Sequence, residues 1–225
     1  MNRDPRHSVT YQLRIVLCDV SPLIWRRIHV PCNIDLDRLH RILQILFSWG
    51  GEHLHRFHIH GKDYGIAYSG GTGFDDDPHQ VRLSDFHFHH RERFLYEYDF
   101  TARWELEIRL EDILPLDLKR PYPICIGGRR AGPPEHCTGT LAYLEQLGLH
   151  SSQPPIEDLS LLADAVGRFL ESGDRKLIGD IDELREALEH VEAYLQFRPD
   201  DFDRRRVNRQ LRGRVARRHY CRPAP

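Results

Sequence analysis

The chain has 225 residues, of which 40% are hydrophobic and 29% are charged, and its formal net charge is −2. A chain of this length can fold without a metal or a disulfide framework, and its composition fits a globular protein. It contains no apolar run near the roughly 20 residues that span a bilayer and no hydrophobic signal core, so we expect a cytoplasmic protein without a membrane segment.

The chain begins with the pattern of a β-hairpin. Residues 10–18 alternate between apolar and polar side chains, which is typical of a half-buried strand. Ser21 and Pro22 indicate a turn, and residues 23–30 have the composition of a second strand.

An amphipathic helix follows the hairpin. Apolar residues recur at helical spacing from Leu36 to Phe47. Asn33 and Asp35 are alternative N-caps, and the glycine pair at 50–51 predicts the end of the helix.

Strand patterns return after this helix. Residues 53–60, 94–100 and 104–110 are predicted strands. Residues 65–80, rich in Gly and Asp, predict a surface loop, and the proline-rich stretch 115–134 predicts irregular structure.

The second half of the chain is predicted to be helical, at about 139–148, 156–171, 181–196 and 201–212. Strands first and helices later favour an α+β fold, a mostly antiparallel sheet with an early amphipathic helix and a helical C-terminal part. We expect one domain over residues 1–213, β-rich at 9–115 and helical at 138–213, and a basic, flexible tail at 214–225.

The segment HLHRFHIH carries four histidines, His53, His55, His58 and His60. Converging histidines are a metal-site signal. Side chains alternate along a strand, however, so His53 and His55 share one face and His58 and His60 the other. A metal site completed by other residues and ordinary hydrogen-bonded strand histidines both remain open.

Five cysteines at wide spacings, without a signal peptide, predict reduced thiols. Cys125 and Cys137, with His136 beside the second, are candidate zinc ligands on a proline-stiffened loop. The paired C-x2-C spacing of structural zinc sites is missing. Two buried thiols without a metal are therefore the alternative.

Basic residues concentrate at the C-terminus. Residues 204–225 hold nine arginines and no acid, which leaves 23 basic and 34 acidic residues, or −11, on the rest of the chain. Such a segment can bind nucleic acid, fold back on the acidic body or remain disordered. The candidate nucleic-acid contacts are Arg204, Arg205, Arg206, Arg209 and Arg212.

Several segments, in chain order from about Val9 to about Arg212, resemble the plasmid pRiA4b ORF-3-like family. They are YQLRIVLCDVSPLIWRRIHVP, DLDRLHRILQILFSWGGEHLHRFHI, YEYDF-x3-WE, YPICIGGRRAGPPEHC and FDRRRVNRQLR. The resemblance implies an α+β fold and a bacterial or archaeal, mobile-element setting, without a defined activity. From its motifs we take the candidate binding residues Arg26, Arg27, His53, His55, Trp104 and Glu105.

Two stretches depart from the family pattern. YDFTARWEL stands where the family usually has YDFGDxWEH, so Leu106 replaces a histidine. AGPPEHC stands where ACPPEDC is usual, with Gly132 for a cysteine and His136 for an aspartate. The departures favour an altered site over an intact one.

Two classes of function follow. The chain has no P-loop, dinucleotide fingerprint, G-x-S-x-G or HExxH motif, which favours a non-enzymatic binding module for nucleic acid or a protein partner. The alternative is a metal-dependent, hydrolase-like enzyme that uses His53, His55 and Glu105 with Cys125 and Cys137. Exposed strand edges also make a homodimer possible.

Overall fold

In a computed structural model of the chain, residues 9–65 and 77–215 are described, with side chains to residue 213. The strands are β1 (Val9–Leu17), β2 (Trp25–Pro31), β3 (His55–Ile59), β4 (Lys62–Gly65), β5 (Arg93–Tyr98), β6 (Trp104–Pro115) and β7 (Ile124–Arg129). The helices are α1 (Leu36–Phe47), α2 (Thr140–Ser152), α3 (Ile156–Ser172), α4 (Ile181–Gln196) and α5 (Arg204–Val215). The predicted α+β class is confirmed.

All seven strands form one antiparallel sheet in the order β4-β3-β5-β6-β1-β2-β7. One face is apolar because every second side chain of the long strands points inward; Leu13, Ile15, Ile108 and Leu110 are fully buried. The other face carries charged and polar side chains. The core therefore lies on one side of the sheet.

Helix α1 supplies much of that core. Its N-cap is Asp35, whose carboxylate accepts from the Arg38 N–H at 2.6 Å. It ends earlier than the glycine pair predicts, because Ser48 adopts a left-handed conformation with φ 62°. Leu39, Ile42 and Leu43 lie on its buried face.

Two strands were not predicted. The stretch 115–134 contains β7, which pairs with β2 from Ile124 to Arg129, with Ile126 as an extra residue, despite the prolines around it. Strand β4 returns from β3 through a turn in which His60 and Gly61 both have positive φ. Of the predicted loop 65–80, residues 66–76 lie outside the described residues.

The chain divides into two compact units. Within the described residues, one comprises 9–65, 77–143 and 200–215 and contains the sheet, α1 and α5. The other is Leu144–Pro199, which contains α3 and α4. In this helical unit only Ala165, Ala187 and Val191 are buried. Among the described helices, none has the length and apolar character to cross a membrane.

Candidate functional site

His55 and His40 form a buried, stacked pair. His55 points from β3 into the core, and its ring lies 3.6 Å from that of His40 on α1, with an angle of 8° between the planes. Burial lowers the pKa of His40 to about 3 and that of His55 to about 4. Both imidazoles are therefore neutral near pH 7.

A tyrosine hydroxyl anchors this pair. Tyr96 OH lies 2.7 Å from His40 Nδ1 and accepts from Gln44 Nε2 at 2.8 Å. A hydroxyl can accept one hydrogen bond and donate another, so Tyr96 OH can bind the Gln44 amide and the His40 imidazole together. Gln44 Oε1 is buried and has no partner among the described residues.

A second polar cluster forms around Glu135. Its carboxylate accepts from Tyr98 OH and, at 2.6 Å, from the Gly50 N–H. Burial opposes ionisation, but the hydrogen bonds from Tyr98 and the backbone outweigh it and lower the pKa of Glu135. Tyr98 OH also accepts from the His53 N–H at 3.4 Å. Segments far apart in sequence thus meet around one carboxylate.

His53 lies at the surface of this second cluster. Its side chain is 43% exposed, and Nδ1 lies 3.8 Å from Asp99 Oδ2. The ring meets Tyr98 edge-on at 5.8 Å. The predicted pair thus has two environments, since His55 is buried and His53 is accessible. Sequence reasoning missed His40, Tyr96 and Glu135, and the only signal for Glu135 was the family-like PPE segment.

Two of the other predicted residues have structural partners on opposite faces of the sheet. Arg26 is buried, and burial lowers its pKa to about 10. It donates from Nε to Leu46 O at 2.9 Å and from one terminal nitrogen to Arg129 O at 2.9 Å. Arg27 binds Glu111 through two hydrogen bonds of 2.5 and 2.8 Å. These two arginines do not share a cleft.

Trp104 and Glu105 also diverge. Trp104 is 1% exposed and packs against Trp49 and Tyr143 in the core, with Nε1 unpaired among the described residues. Glu105 is exposed on the opposite face of β6. The arrangement proposed for an enzyme, with His55, Glu105 and Cys125 around one site, therefore does not form.

The described residues do not form the predicted zinc site. The Cys125 thiol donates to Gly127 O at 3.3 Å, and burial raises its pKa. The Cys137 thiol donates to Gly139 O at 3.7 Å, and His136 is exposed. Thiols that donate locally do not fit the thiolate ligands that zinc needs. Within 9–65 and 77–213, no three His, Cys, Asp or Glu side chains are grouped to hold a metal ion.

The predicted arginines of α5 do come together. Four of the five border a pocket of about 390 Å³ between α5 and β7, which we call the arginine groove. Its lining residues are Ile124, Cys125, Ile126, Arg204, Arg205, Asn208, Arg209 and Arg212. Arg206 is not among them. The remaining arginines, from Arg214 on, lie beyond the described side chains.

Helix α5 is fixed in place by its apolar face and by one amide. Val207 and Leu211, one turn apart, are buried. Asn208 accepts from the Cys125 N–H at 2.8 Å and donates to Cys125 O at 2.9 Å, as a neighbouring strand would. Arg204 donates to Ile126 O at 2.8 Å. The helix thus covers the free edge of the sheet.

The other groove arginines have no such partners. Arg205, Arg209 and Arg212 form no close salt bridge with a described residue. The nearby Asp203 carboxylate caps the helix by accepting from the Arg205 N–H at 2.8 Å, and a hydrogen bond from the Arg206 N–H together with the charges of Arg209 and Arg205 lowers its pKa. Like charges one turn apart destabilise a helix, and so does basic charge at its N-terminus. The groove is therefore an electrostatically costly arrangement with accessible guanidinium groups.

Known proteins resemble this chain in sequence and in structure. A sequence model described as plasmid pRiA4b ORF-3-like protein matches residues 9–169, which excludes α4 and α5. The uncharacterised protein y4hQ of Sinorhizobium fredii is 31% identical over 135 residues, which are 60% of this chain and 69% of that protein.

A solved structure extends the similarity. The crystal structure of a protein of unknown function from Methanosarcina mazei Go1 matches with a TM-score of 0.66 and 28% identity. The match covers 89% of this chain and 97% of that one. The family match takes in the segments that meet at the histidine pair and at Glu135. The chain belongs to the plasmid pRiA4b ORF-3-like family.

Proposed function

We propose that this protein is a nucleic-acid-binding module that contacts the phosphate backbone through the arginine groove. The observation that carries the proposal is that Arg205, Arg209 and Arg212 border one pocket. None of the three forms a close salt bridge with a described residue. Guanidinium groups bind phosphate oxygens through charge-assisted, often bidentate hydrogen bonds. Such contacts position a protein on nucleic acid without reading its sequence.

The spacing of these arginines suits a chain of phosphates. They lie at positions i, i+4 and i+7 of α5, so they follow one face of the helix over about 10 Å. Because Asn208 and the buried Val207 hold the helix against β7, the guanidinium groups extend from a fixed support. A fixed support reduces the entropy lost on binding.

The alternative hypothesis is that the basic groove binds a protein partner with an acidic surface. The two hypotheses predict different responses of binding to salt and to strand length, because a nucleic acid releases condensed counterions when its phosphates are neutralised. The charge of the chain outside residues 204–225 is −11, so the strongest excess of basic residues lies in this region.

The test replaces Arg205, Arg209 and Arg212 together with glutamine, which we call the groove variant. Fluorescence anisotropy with labelled duplex DNA and labelled oligothymidine then measures affinity. We expect a loss of at least about 100-fold at low salt, since each lost phosphate contact weakens binding by roughly tenfold. Truncation at residue 204 is unsuitable because it also removes the cover of β7.

The matched control also replaces three arginines with glutamine, Arg56, Arg120 and Arg185. Each forms an ion pair with a carboxylate, so the change in net charge is the same but accessible guanidinium groups remain in the groove. The proposal requires the control to keep near wild-type affinity. Equal losses in both variants, or no loss in the groove variant, would contradict it.

A further inference from the structure

Four arginines lie side by side on the charged face of the sheet, one on each of four adjacent strands. In the register of β2, β1, β6 and β5, Arg27 is opposite Arg14, Arg14 is opposite Arg109, and Arg109 is opposite Arg93. Each alternates with buried residues of its strand, so all four point away from the core. We call them the arginine row; it spans about 14 Å.

A bulge lies beside this row. The pairing of β1 with β6 shifts between Gln12 and Leu13, so that Glu111 is an extra residue on β6. Glu111 contacts Gln12 at 3.0 Å and Arg27 at 2.5 Å. On the other side of the bulge the pairing is regular, and Arg14 is opposite Arg109.

The row has more guanidinium groups than carboxylates. Glu111 pairs with Arg27, and Glu107 is shared by Arg93 at 2.9 Å and Arg109 at 3.0 Å. Arg14 forms no side-chain hydrogen bond or close salt bridge with a described residue. Hydrogen bonds from Arg27 and Gln12, together with the charges of Arg27 and Arg14, lower the pKa of Glu111. The Arg14 guanidinium also lies 5.8 Å from the Trp25 ring, a cation–π contact.

Two buried donors in the row are also unpaired. The Nε atoms of Arg14 and Arg109 have no hydrogen-bond partner among the described residues. Like charges directly opposite each other destabilise a sheet, and solubility alone is better served by alternating signs. An anion above the row would offset the repulsion between these charges.

We infer that the arginine row is a phosphate-binding surface centred on Arg14. Guanidinium groups at strand spacing can share the oxygens of one phosphate or hold successive phosphates of a strand that crosses the sheet. The two sources are an oligonucleotide and a small phosphorylated molecule. The inference does not rest on the arginine groove, which lies at β7 and uses other residues.

The test replaces Arg14 with glutamine in two backgrounds, the wild-type chain and the groove variant. The probes are oligothymidine and inorganic phosphate, followed by anisotropy and by calorimetric titration. In both backgrounds Arg14→Gln is expected to weaken binding of oligothymidine by about tenfold. The control is Arg56→Gln, on the same face, because Arg56 is already paired with Glu97 at 2.6 Å and should leave affinity unchanged.

Thermal unfolding separates binding from a structural role. Removing the central charge relieves repulsion, so Arg14→Gln should leave the unfolding midpoint unchanged or raise it. A parallel loss of inorganic phosphate binding identifies a single-phosphate site, and a loss with oligothymidine alone identifies a strand-binding surface. Three outcomes overturn the inference. They are a lowered unfolding midpoint with unchanged binding in Arg14→Gln, a loss of affinity no larger than that of Arg56→Gln, and no binding of either probe by the wild type or any variant.

These outcomes are distinguishable from failure of the groove. If the groove variant keeps full affinity while Arg14→Gln loses it, the groove proposal fails and the row is supported. If only the groove variant loses affinity, the row is refuted and the groove is supported.

Discussion

The stacked pair of His40 and His55 couples folding to pH. Both imidazoles are neutral in the folded state because they are buried, whereas an unfolded chain protonates them near the ordinary pKa of 6.5. Below that pH the unfolded state binds more protons than the folded state. The contribution to stability is therefore complete above pH 6.5 and is lost as the pH falls towards the folded values of about 4 and about 3.

This predicts the effect of His55→Phe. Phenylalanine keeps an aromatic ring against His40 but cannot titrate. Near pH 5 each histidine adds up to about 1.4 kcal/mol per pH unit to the slope of the unfolding free energy, so the variant should have a slope lower by about that amount. Urea unfolding between pH 7 and pH 4 measures it, with the exposed His136→Gln as control. Equal slopes of unfolding free energy against pH for wild type and His55→Phe would contradict the lowered pKa of His55 in the folded state.

Gly132 is fixed by a close approach between backbones. A Cβ at this position would lie 2.2 Å from Phe47 O. A larger side chain at this position requires the segment after β7 to move away from the end of α1.

Gly132→Ala is therefore expected to lower the unfolding free energy by about 1–3 kcal/mol, the usual cost of overpacking. The control is Gly148→Ala in α2, where a Cβ would meet nothing within 4 Å. There the better helix propensity of alanine should raise stability by roughly 0.5–1 kcal/mol. Chemical denaturation compares the two, and equal effects would show that the close approach is absent.

At the scale of elements, α5 has two roles that can be separated. It covers the edge of β7 through Asn208, and it presents arginines to solvent. The first role concerns stability and the second concerns binding.

Asn208→Ala leaves the N–H and C=O of Cys125 without their partners and should cost about 1–3 kcal/mol of unfolding free energy. Gln210→Ala, in the same helix, is the control and should change stability by less than about 0.5 kcal/mol. Differential scanning calorimetry measures both. A negligible effect of Asn208→Ala would mean that water replaces the amide at the edge.

The elements differ in how far the sequence predicts them. Strand β1 and helix α1 follow from apolar periodicity alone, although α1 is buried on nearly all sides and leaves only Arg38 and Arg41 outside its buried residues. Strand β7 does not, because three apolar residues among prolines and glycines carry no period. Alternation also indicates that Arg14 and Arg109 point away from the core, but their adjacency depends on the pairing register of β1 with β6, which no local pattern encodes.

The candidate site shows the same limit. The histidine-rich segment identifies His53 and His55, yet their different burial depends on α1 and on Tyr98, which are distant in sequence. Cys125, His136 and Cys137 suggested zinc, but each thiol instead donates to a nearby carbonyl. The basic C-terminus indicated the arginines of α5 as nucleic-acid contacts, which stays a prediction; the structure adds the pocket that four of them share with β7.

At the scale of the whole molecule, charge is separated between the acidic body and the basic C-terminal region. The family match ends at residue 169, before α5, while the structural match covers 89% of the chain. Binding through α5 is thus a property we propose for this chain. Homodimerisation stays a prediction, which light scattering during size exclusion would test.

The salt dependence of nucleic-acid binding tests the central claim most directly. Three phosphate contacts in the arginine groove predict that the slope of log K against log salt is less steep by about 2–3 in the groove variant than in the wild type. The measurement uses the same labelled duplex from 50 to 200 mM salt, with the Arg56, Arg120 and Arg185 triple variant retaining the wild-type slope. Identical slopes in all three proteins would contradict phosphate binding by the groove.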